Sequence, residues 1–490
     1  MKKLHIYTSI FALFAGASSV AFAKENVTVD ISNENYVVSQ NTSLVASKGI
    51  NASNVVFDSS TFTNNTLTTG VNESIYGGIM GGNVTLNNTS FSGNSITQYY
   101  SGTKALYGGI VYLSSEGQIT GGEFVNNQVK SEYHITGGIV GLNTHSTSLT
   151  LNGTLFSGNS VSVYGQKAYK ARGGAIANYD KVAVINSATF VNNTLSTDSA
   201  EAGQGGAAIY SRNKSGSSYT TIVDTTFTGN RANTTGGAIV LEGGNVTISA
   251  KTKSIVNTGN VATNTSGVAT DALGGFMYMG NYNNQYASKA TFDVASGLSI
   301  TIGDGTAKQD SIAGDSFSII NKVGAGALVV NGSMEYYKGV LNVNEGSMAV
   351  NSVLGASDIV VASGATLTLG DNADIVLYGC SITLAEGATL ALGANSNIIV
   401  NLEEDFTGTT SLFNIADGAT LMQGGESVSL SGLEDNITVT YNGVELDESR
   451  WSIDATTGQL VANVAVPEPA EWAIILGALA LGVAIYRRRK

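Results

Sequence analysis

A motif of the form Phe-x-x-Asn recurs six times in this chain, at Phe62/Asn65, Phe91/Asn94, Phe124/Asn127, Phe156/Asn159, Phe190/Asn193 and Phe227/Asn230. Successive phenylalanines are 29, 33, 32, 34 and 37 residues apart. Between them lies a second motif, a Gly-Gly pair followed by small or apolar residues, beginning at Gly77, Gly108, Gly137, Gly173, Gly205, Gly236 and Gly274. Two alternating motifs with one near-constant period define an array of stacked supersecondary units, none of which buries its apolar face alone.

The residues inside each unit select a parallel β-helix from among such arrays. Five positions before each Phe stands another large apolar residue: Phe57, Leu86, Ile119, Leu151, Ile185 and Ile222. Small polar residues between the two inward positions fit short strands joined by a bend. Stacked copies then form an aromatic and an aliphatic ladder. The motif Asn can turn the chain and hydrogen-bond its equivalent on the next rung. Paired glycines allow positive φ or close backbone approach at a corner. The chain has 60 Gly and only 2 Pro, both outside the repeats. Proline inside a rung would remove a ladder donor, and helical bundles are disfavoured because each interior Gly costs about 1 kcal/mol.

Beyond about residue 295 the pattern tightens. Thr366-Leu367-Thr368-Leu369 and Thr389-Leu390-Ala391-Leu392 alternate cleanly, and Ser-Gly, Glu-Gly and Asn-Gly pairs punctuate the strands. The expected fold class is all-β, a right-handed parallel β-helix. Its expected divisions are a signal peptide (1–23), a Phe-x-x-Asn and Gly-Gly β-helix (24–294), a tighter-coil solenoid (295–424), a β cap (425–465) and a sorting tail (466–490).

The two ends carry targeting information. Lys2 and Lys3 precede an apolar run and then Ala21-Phe22-Ala23, the order of a secretory signal cleaved between Ala23 and Lys24. At the other end, Val466-Pro467-Glu468-Pro469 precedes an apolar run from Trp472 to Tyr486 and then Arg487, Arg488, Arg489 and Lys490. As a helix that run spans about 22 Å, which snorkelling arginines extend towards the thickness of a bilayer. The basic tail should stay cytoplasmic, leaving everything before it outside.

The Pro467-Glu468-Pro469 tripeptide, short apolar helix and terminal arginines resemble the PEP-CTERM sorting signal of Gram-negative, exopolysaccharide-producing bacteria. The resemblance implies export by the secretion machinery, transient anchoring in the inner membrane, and processing by an exosortase-type enzyme. The mature protein would then reach the cell surface or the medium. The alternating motifs of residues 55–280 resemble the passengers of polymorphic outer-membrane proteins and autotransporters, with full matches at Gly173-Gly174-Ala175-Ile176 and Gly236-Gly237-Ala238-Ile239. Gly205-Gly206-Ala207-Ala208 and Gly274-Gly275-Phe276-Met277 depart from the pattern. The stretch from Gly324 to Asp371 is similar to the autotransporter-associated repeat. These resemblances imply a surface-exposed, often adhesive solenoid; residue 466 opens the sorting tail where an autotransporter would need its membrane barrel.

Little in the sequence points to chemistry. Without both ends, Lys and Arg fall from 24 to 18 and Asp and Glu from 37 to 35, a formal charge of −17. Such a surface repels phosphate backbones, which argues against nucleic acid as a partner. A lone Cys380 excludes a disulfide scaffold. His134 and His145 lie near no nucleophile motif, and Asp180 and Asp224 are isolated carboxylates. Gly303-Asp304-Gly305 and Asp371-Asn372-Ala373-Asp374 match no calcium loop. No cofactor, metal or catalytic residue is expected.

The variable loops carry the better candidates. Tyr164, Tyr169, Lys170 and Arg172 crowd one loop, and Arg212 and Tyr219 lie in another. Such basic-aromatic clusters could grip anionic sugars of an exopolysaccharide or host glycan. The expected function is therefore non-enzymatic, adhesive or exopolysaccharide-associated. A β-helix polysaccharide lyase or hydrolase is the alternative, requiring two converging carboxylates. A third reading, an ice-binding solenoid, would need aligned Thr-x-Thr pairs, which are scattered here.

Overall fold

The phenylalanine column is a physical stack. In the computed structural model the rings of Phe62, Phe91, Phe124, Phe156, Phe190 and Phe227 lie 4.7 to 5.1 Å apart and within 9° of parallel. The structure describes residues 37–39 and 50–464, apart from 70–73, 100–104, 114–115, 143–147, 165–169, 199–204, 214–218, 404–405 and 407. The signal-cleavage residues Ala21, Ala23 and Lys24 lie outside the described residues. So do Tyr169, His145, and the whole sorting tail from Val466 through Pro467, Glu468, Pro469, Arg487, Arg488 and Arg489.

The rungs are parallel strands, each paired with the rung before and after. The aliphatic column runs in register from Phe57 through Leu86, Ile119, Leu151, Ile185, Ile222 and Ile248 to Phe292. It continues through Lys322, Val343, Val361 and Leu384 to Ile415. Thirteen rungs spaced about 4.8 Å apart make a rise of about 58 Å. Ile320, Leu341, Ile359 and Ile382, which share a second inward column, are 21, 18 and 23 residues apart, so the later coils are shorter. The column admits one charge. Lys322 is fully buried, and its Nζ donates to the carbonyls of Val323 (3.0 Å), Gly324 (2.6 Å) and Glu345 (2.9 Å).

The motif asparagines form a buried amide ladder. Asn65 Nδ2 donates to Asn94 Oδ1, and the same bond recurs from Asn94 to Asn127, Asn159, Asn193, Asn230 and Asn260 at 2.8 to 3.0 Å. Each Oδ1 also accepts the backbone N–H of the preceding Asn. These residues do not turn the chain, contrary to the sequence expectation. The left-handed residue is the one before: Asn64, Gly93, Asn126, Gly158, Asn192 and Gly229, all with φ between 53° and 66°. Asn and Gly alternate strictly along this column. A Cβ on Gly93, Gly158 or Gly229 would come within 2.3 Å of the Oδ1 of Asn64, Asn126 or Asn192 one rung earlier.

The aromatic stack ends where Asn257 follows Phe227. Asn257 Oδ1 accepts the Phe227 N–H, and Phe276 meets the last ring edge-on at 6.1 Å. At the far end the chain turns antiparallel. Thr420–Gln423 pairs back with Glu426–Ser427, Ile437–Tyr441 with Val444–Glu445, and Gln459–Ala462 with both Thr409–Ser411 and Trp451–Ile453. These hairpins occupy edges that would otherwise invite further strands. Among the described residues, no helix is long and apolar enough to cross a membrane.

Candidate functional site

The Gly-Gly motif creates a concave corner on the outer face. Its left-handed glycines are Gly77, Gly108, Gly137, Gly173, Gly206, Gly236 and Gly274, with φ between 56° and 77°. At Gly108 the bend is so tight that an added Cβ would lie 2.2 Å from the Val111 carbonyl oxygen. The fifth copy is therefore Gly206-Ala207-Ala208-Ile209, one residue later than the Gly205 start read from sequence. Its Ile209 pairs with Ile176 and Ile239, which restores the match to the neighbouring copies.

Sharp folding brings outward side chains from both arms of the corner into contact. The Tyr76 ring stacks on Tyr107 at 5.1 Å and lies 5.1 Å from Tyr112 across the bend. Further along, the Arg172 guanidinium lies over the rings of Tyr179 (5.5 Å) and Tyr210 (5.7 Å). Arg212 lies over Tyr179 (4.3 Å) and Tyr282 (5.3 Å), and its Nη2 pairs with Asp180 at 3.0 Å. The Tyr210 hydroxyl donates to Glu242. Burial raises the Tyr179 and Tyr210 phenols above their usual range.

Arg172 and Arg212 thus come together from the ends of two strands, Ala171–Arg172 and Ile209–Arg212, rather than from loops, and their charges are engaged by rings and by Asp180. The Nε of each is buried without a hydrogen-bond partner, as is the Tyr179 hydroxyl. Tyr164 packs instead on Tyr99 at 6.4 Å, and its phenol is pushed up to about 12, chiefly by burial. The Lys170 N–H donates to His134 Nδ1 at 2.7 Å; desolvation lowers that imidazole below its usual range. Tyr219 is half exposed. Asp224 sits in a left-handed turn, accepting from Lys251 N and from Thr252 Oγ1, both at 2.7 Å. Burial alone would raise its carboxyl, but these bonds hold it below the ordinary value.

Beside this cluster is a cavity of about 210 Å³ lined by Thr235, Val240, Leu241, Glu242, Tyr278, Gly280, Asn281 and Asp315. Glu242 pairs with Gly280, and Met279 with Gly314, so Glu242, Gly280 and Asp315 occupy equivalent positions on three successive rungs. Two rung steps place the Cα atoms of the two acids about 10 Å apart. Asp315 Oδ2 accepts from Asn281 N and Nδ2, both at 2.6 Å, and its Oδ1 accepts from Phe317 N and Ser318 Oγ, both at 3.0 Å. Burial, with Asp315 nearby, raises the Tyr278 phenol. A wider depression of about 800 Å³ beside the antiparallel end is walled mainly by small and apolar residues. Among the described residues no group of three or more His, Cys, Asp or Glu side chains could hold a metal ion.

Sequence reading missed the Glu242–Asp315 pairing because 73 residues separate the two acids and no motif marks either. Their common column appears only once the rungs are in register.

Residues 224–242 match the Chlamydia polymorphic membrane protein repeat. That segment contains Phe227, Asn230, Gly236 and Glu242, hence one ladder position and one wall of the cavity. The chain is also similar to a probable autotransporter of Escherichia coli (strain K12), YfaL, 28% identical over 280 residues. The alignment takes in 48% of this chain and 22% of the relative, so the chain matches about a fifth of that protein's length. No solved structure matches.

Proposed function

We propose that this protein is an exported, non-catalytic β-solenoid displayed at the cell surface or in the extracellular matrix, where the Gly-Gly corner groove binds glycan. The observation that carries the reading is the presence of tyrosine rings along the outer face of the Gly-Gly corner, Tyr76, Tyr107 and Tyr112 in the early rungs and Tyr278 beside Asp315 in the later cavity. Flat rings suit the C–H faces of sugars, and preset carboxylates suit their hydroxyls. The repeat match and the autotransporter relative support export. The coils wind right-handed on this reading, as parallel strand connections do.

The tail from Val466 to Lys490 acts as a PEP-CTERM signal, with its apolar segment a temporary membrane helix and an exosortase-type enzyme as partner. Removal of residues 466–490 should change where the protein accumulates. Protease shaving of intact cells, with and without the tail, reads this out; an unchanged distribution would refute the sorting role. A glycan array probed with the protein tests binding, and an array without hits refutes it.

A second reading is favoured by one observation, the two carboxylates lining a single cavity. With Cα atoms about 10 Å apart, the two side chains can reach the carboxyl separation of about 6.5–9.5 Å that inverting glycosidases use. Release of reducing ends from a bound glycan, lost in Glu242→Gln, would establish hydrolysis; binding without release leaves the adhesive reading.

A further inference from the structure

We infer that the Glu242–Tyr278–Asp315 cavity is a subsite for a protonated amino sugar, within a partly de-N-acetylated hexosamine glycan. The inference rests on the glycan-binding reading above and gives that glycan a charge. It replaces the expectation that Arg172 and Arg212 hold anionic sugars.

Size comes first. A volume of about 210 Å³ corresponds to about seven waters at their liquid volume, room for one pyranose ring. The ring has an aromatic wall in Tyr278. Gly280, between the two acids, keeps the floor open, because a Cβ there would lie 3.2 Å from Tyr278 Cε1. The buried Thr235 Oγ1 lines the same cavity and has no hydrogen-bond partner, so a ligand hydroxyl or amine would satisfy it.

Charge comes second. No Lys or Arg lines the cavity. The cations one rung outside it are Arg212, opposite Glu242 and paired with Asp180, and Lys338, opposite Asp315 with its Nζ 5.0 Å from the Tyr378 ring centre; Arg172 lies over two tyrosine rings within Coulombic reach of Glu242. These cations flank the column from outside, so the lining itself offers a ligand two carboxylates and no positive charge. An ammonium group between Glu242 and Asp315, against the Tyr278 face, gains Coulombic attraction to both carboxylates and a cation–π contact. A uronate or sulfate there would face two carboxylates. At longer range, a formal charge of −17 over residues 24–465 draws a cationic polymer towards the protein and repels an anionic one.

The test is titration of the full chain with three oligosaccharide series: glucosamine, N-acetylglucosamine and galacturonate oligomers. Glucosamine oligomers should bind about tenfold or more tightly than the acetylated series, and the preference should shrink at high salt. Glu242→Gln and Asp315→Asn should each weaken binding about tenfold. Because Asp315 also holds the turn through Asn281 and Ser318, Gly280→Ala provides a second variant. It sets a methyl group 3.2 Å from Tyr278 Cε1 without changing charge, and should weaken binding about tenfold. Equal binding of both hexosamine series, tighter galacturonate binding, or full affinity in Gly280→Ala would overturn the inference while leaving a glycan-binding protein. Binding of none of the three, but of some other glycan, would do the same. Failure to bind any glycan would remove both readings.

Discussion

Asn260 Nδ2 donates to Asp310 Oδ1 at 2.7 Å, so a buried ladder of amides ends on a carboxylate. Asp310 also accepts the backbone N–H groups of Gly259 (2.6 Å) and Asn260 (3.0 Å). Burial outweighs these bonds and pushes its carboxyl up to about 6. In the unfolded chain the group titrates near 3.9. Between the two values the folded state holds the proton and the unfolded state does not, so this group's contribution to stability falls as pH rises through that window. The difference corresponds to about 3 kcal/mol. Urea unfolding at pH 4 and pH 7.5 should show the wild type losing ground to Asp310→Asn as pH rises; a constant difference would contradict the assignment.

Within the ladder, Asn127 serves four partners. Its Oδ1 accepts from Asn94 N and Nδ2, and its Nδ2 donates to Phe91 O and Asn159 Oδ1. Asn127→Ala leaves the buried Asn94 N–H without its acceptor and removes one bond each from Asn94 Nδ2, Phe91 O and Asn159 Oδ1, although Asn94 Nδ2 keeps Phe62 O and Asn159 Oδ1 keeps the backbone N–H of residue 127, at about 1–3 kcal/mol for each group left unpaired. The loss should total about 4 kcal/mol and appear locally, as faster hydrogen exchange of the Asn94 amide. Wild-type exchange there would show that the ladder is not stabilising.

Two left-handed glycines should respond differently to alanine. Gly153 has φ 62° and open space around its would-be Cβ, so Gly153→Ala bears only the left-handed penalty of about 1–2 kcal/mol. Gly108→Ala adds a collision with the Val111 carbonyl and should cost at least about 3 kcal/mol. Equal melting temperatures for the two variants would mean that the corner relaxes freely.

Lys322 titrates in the opposite sense to Asp310. Desolvation lowers its amine to about 8, against about 10.4 in an unfolded chain. Between those values the unfolded state binds more protons, so the wild type should gain stability relative to Lys322→Met as pH rises from 8 to 10. A flat difference over that interval would show that the three carbonyls compensate the charge fully.

The parts of this architecture legible in the sequence are those where a side chain must match its own copy. Phe91 stacks on Phe62 and Phe124, and Asn94 bonds Asn65 and Asn127, so identity is enforced at the spacing of one coil. The outward column carries no such demand. It reads Tyr112, Gly141, Ala177, Tyr210, Val240 and Tyr278, without a pattern that would single out Glu242 or Asp315. Asn260 and Asp310 escaped notice because Asn257, rather than Phe, precedes Asn260, and Asp310 follows it by 50 residues, well beyond the period of 29 to 37. Arg172 and Arg212 look like free loop cations in sequence; only the corner reveals Tyr179, Tyr210 and Asp180 beside them.

The alternation of Asn and Gly at the left-handed column makes the coils unequal as pieces to remove, because a coil that carries Gly keeps two Asn side chains apart. Deleting the rung of Gly93 would set Asn126 directly above Asn64, whose Oδ1 occupies the place of the incoming Cβ. Deleting the rungs of Gly93 and Asn126 together would set Gly158 there, and the fit is kept. A lineage of such chains should therefore lose Asn-bearing coils singly, since Gly259 already follows Gly229 at consecutive ladder positions, but Gly-bearing coils only together with a neighbour.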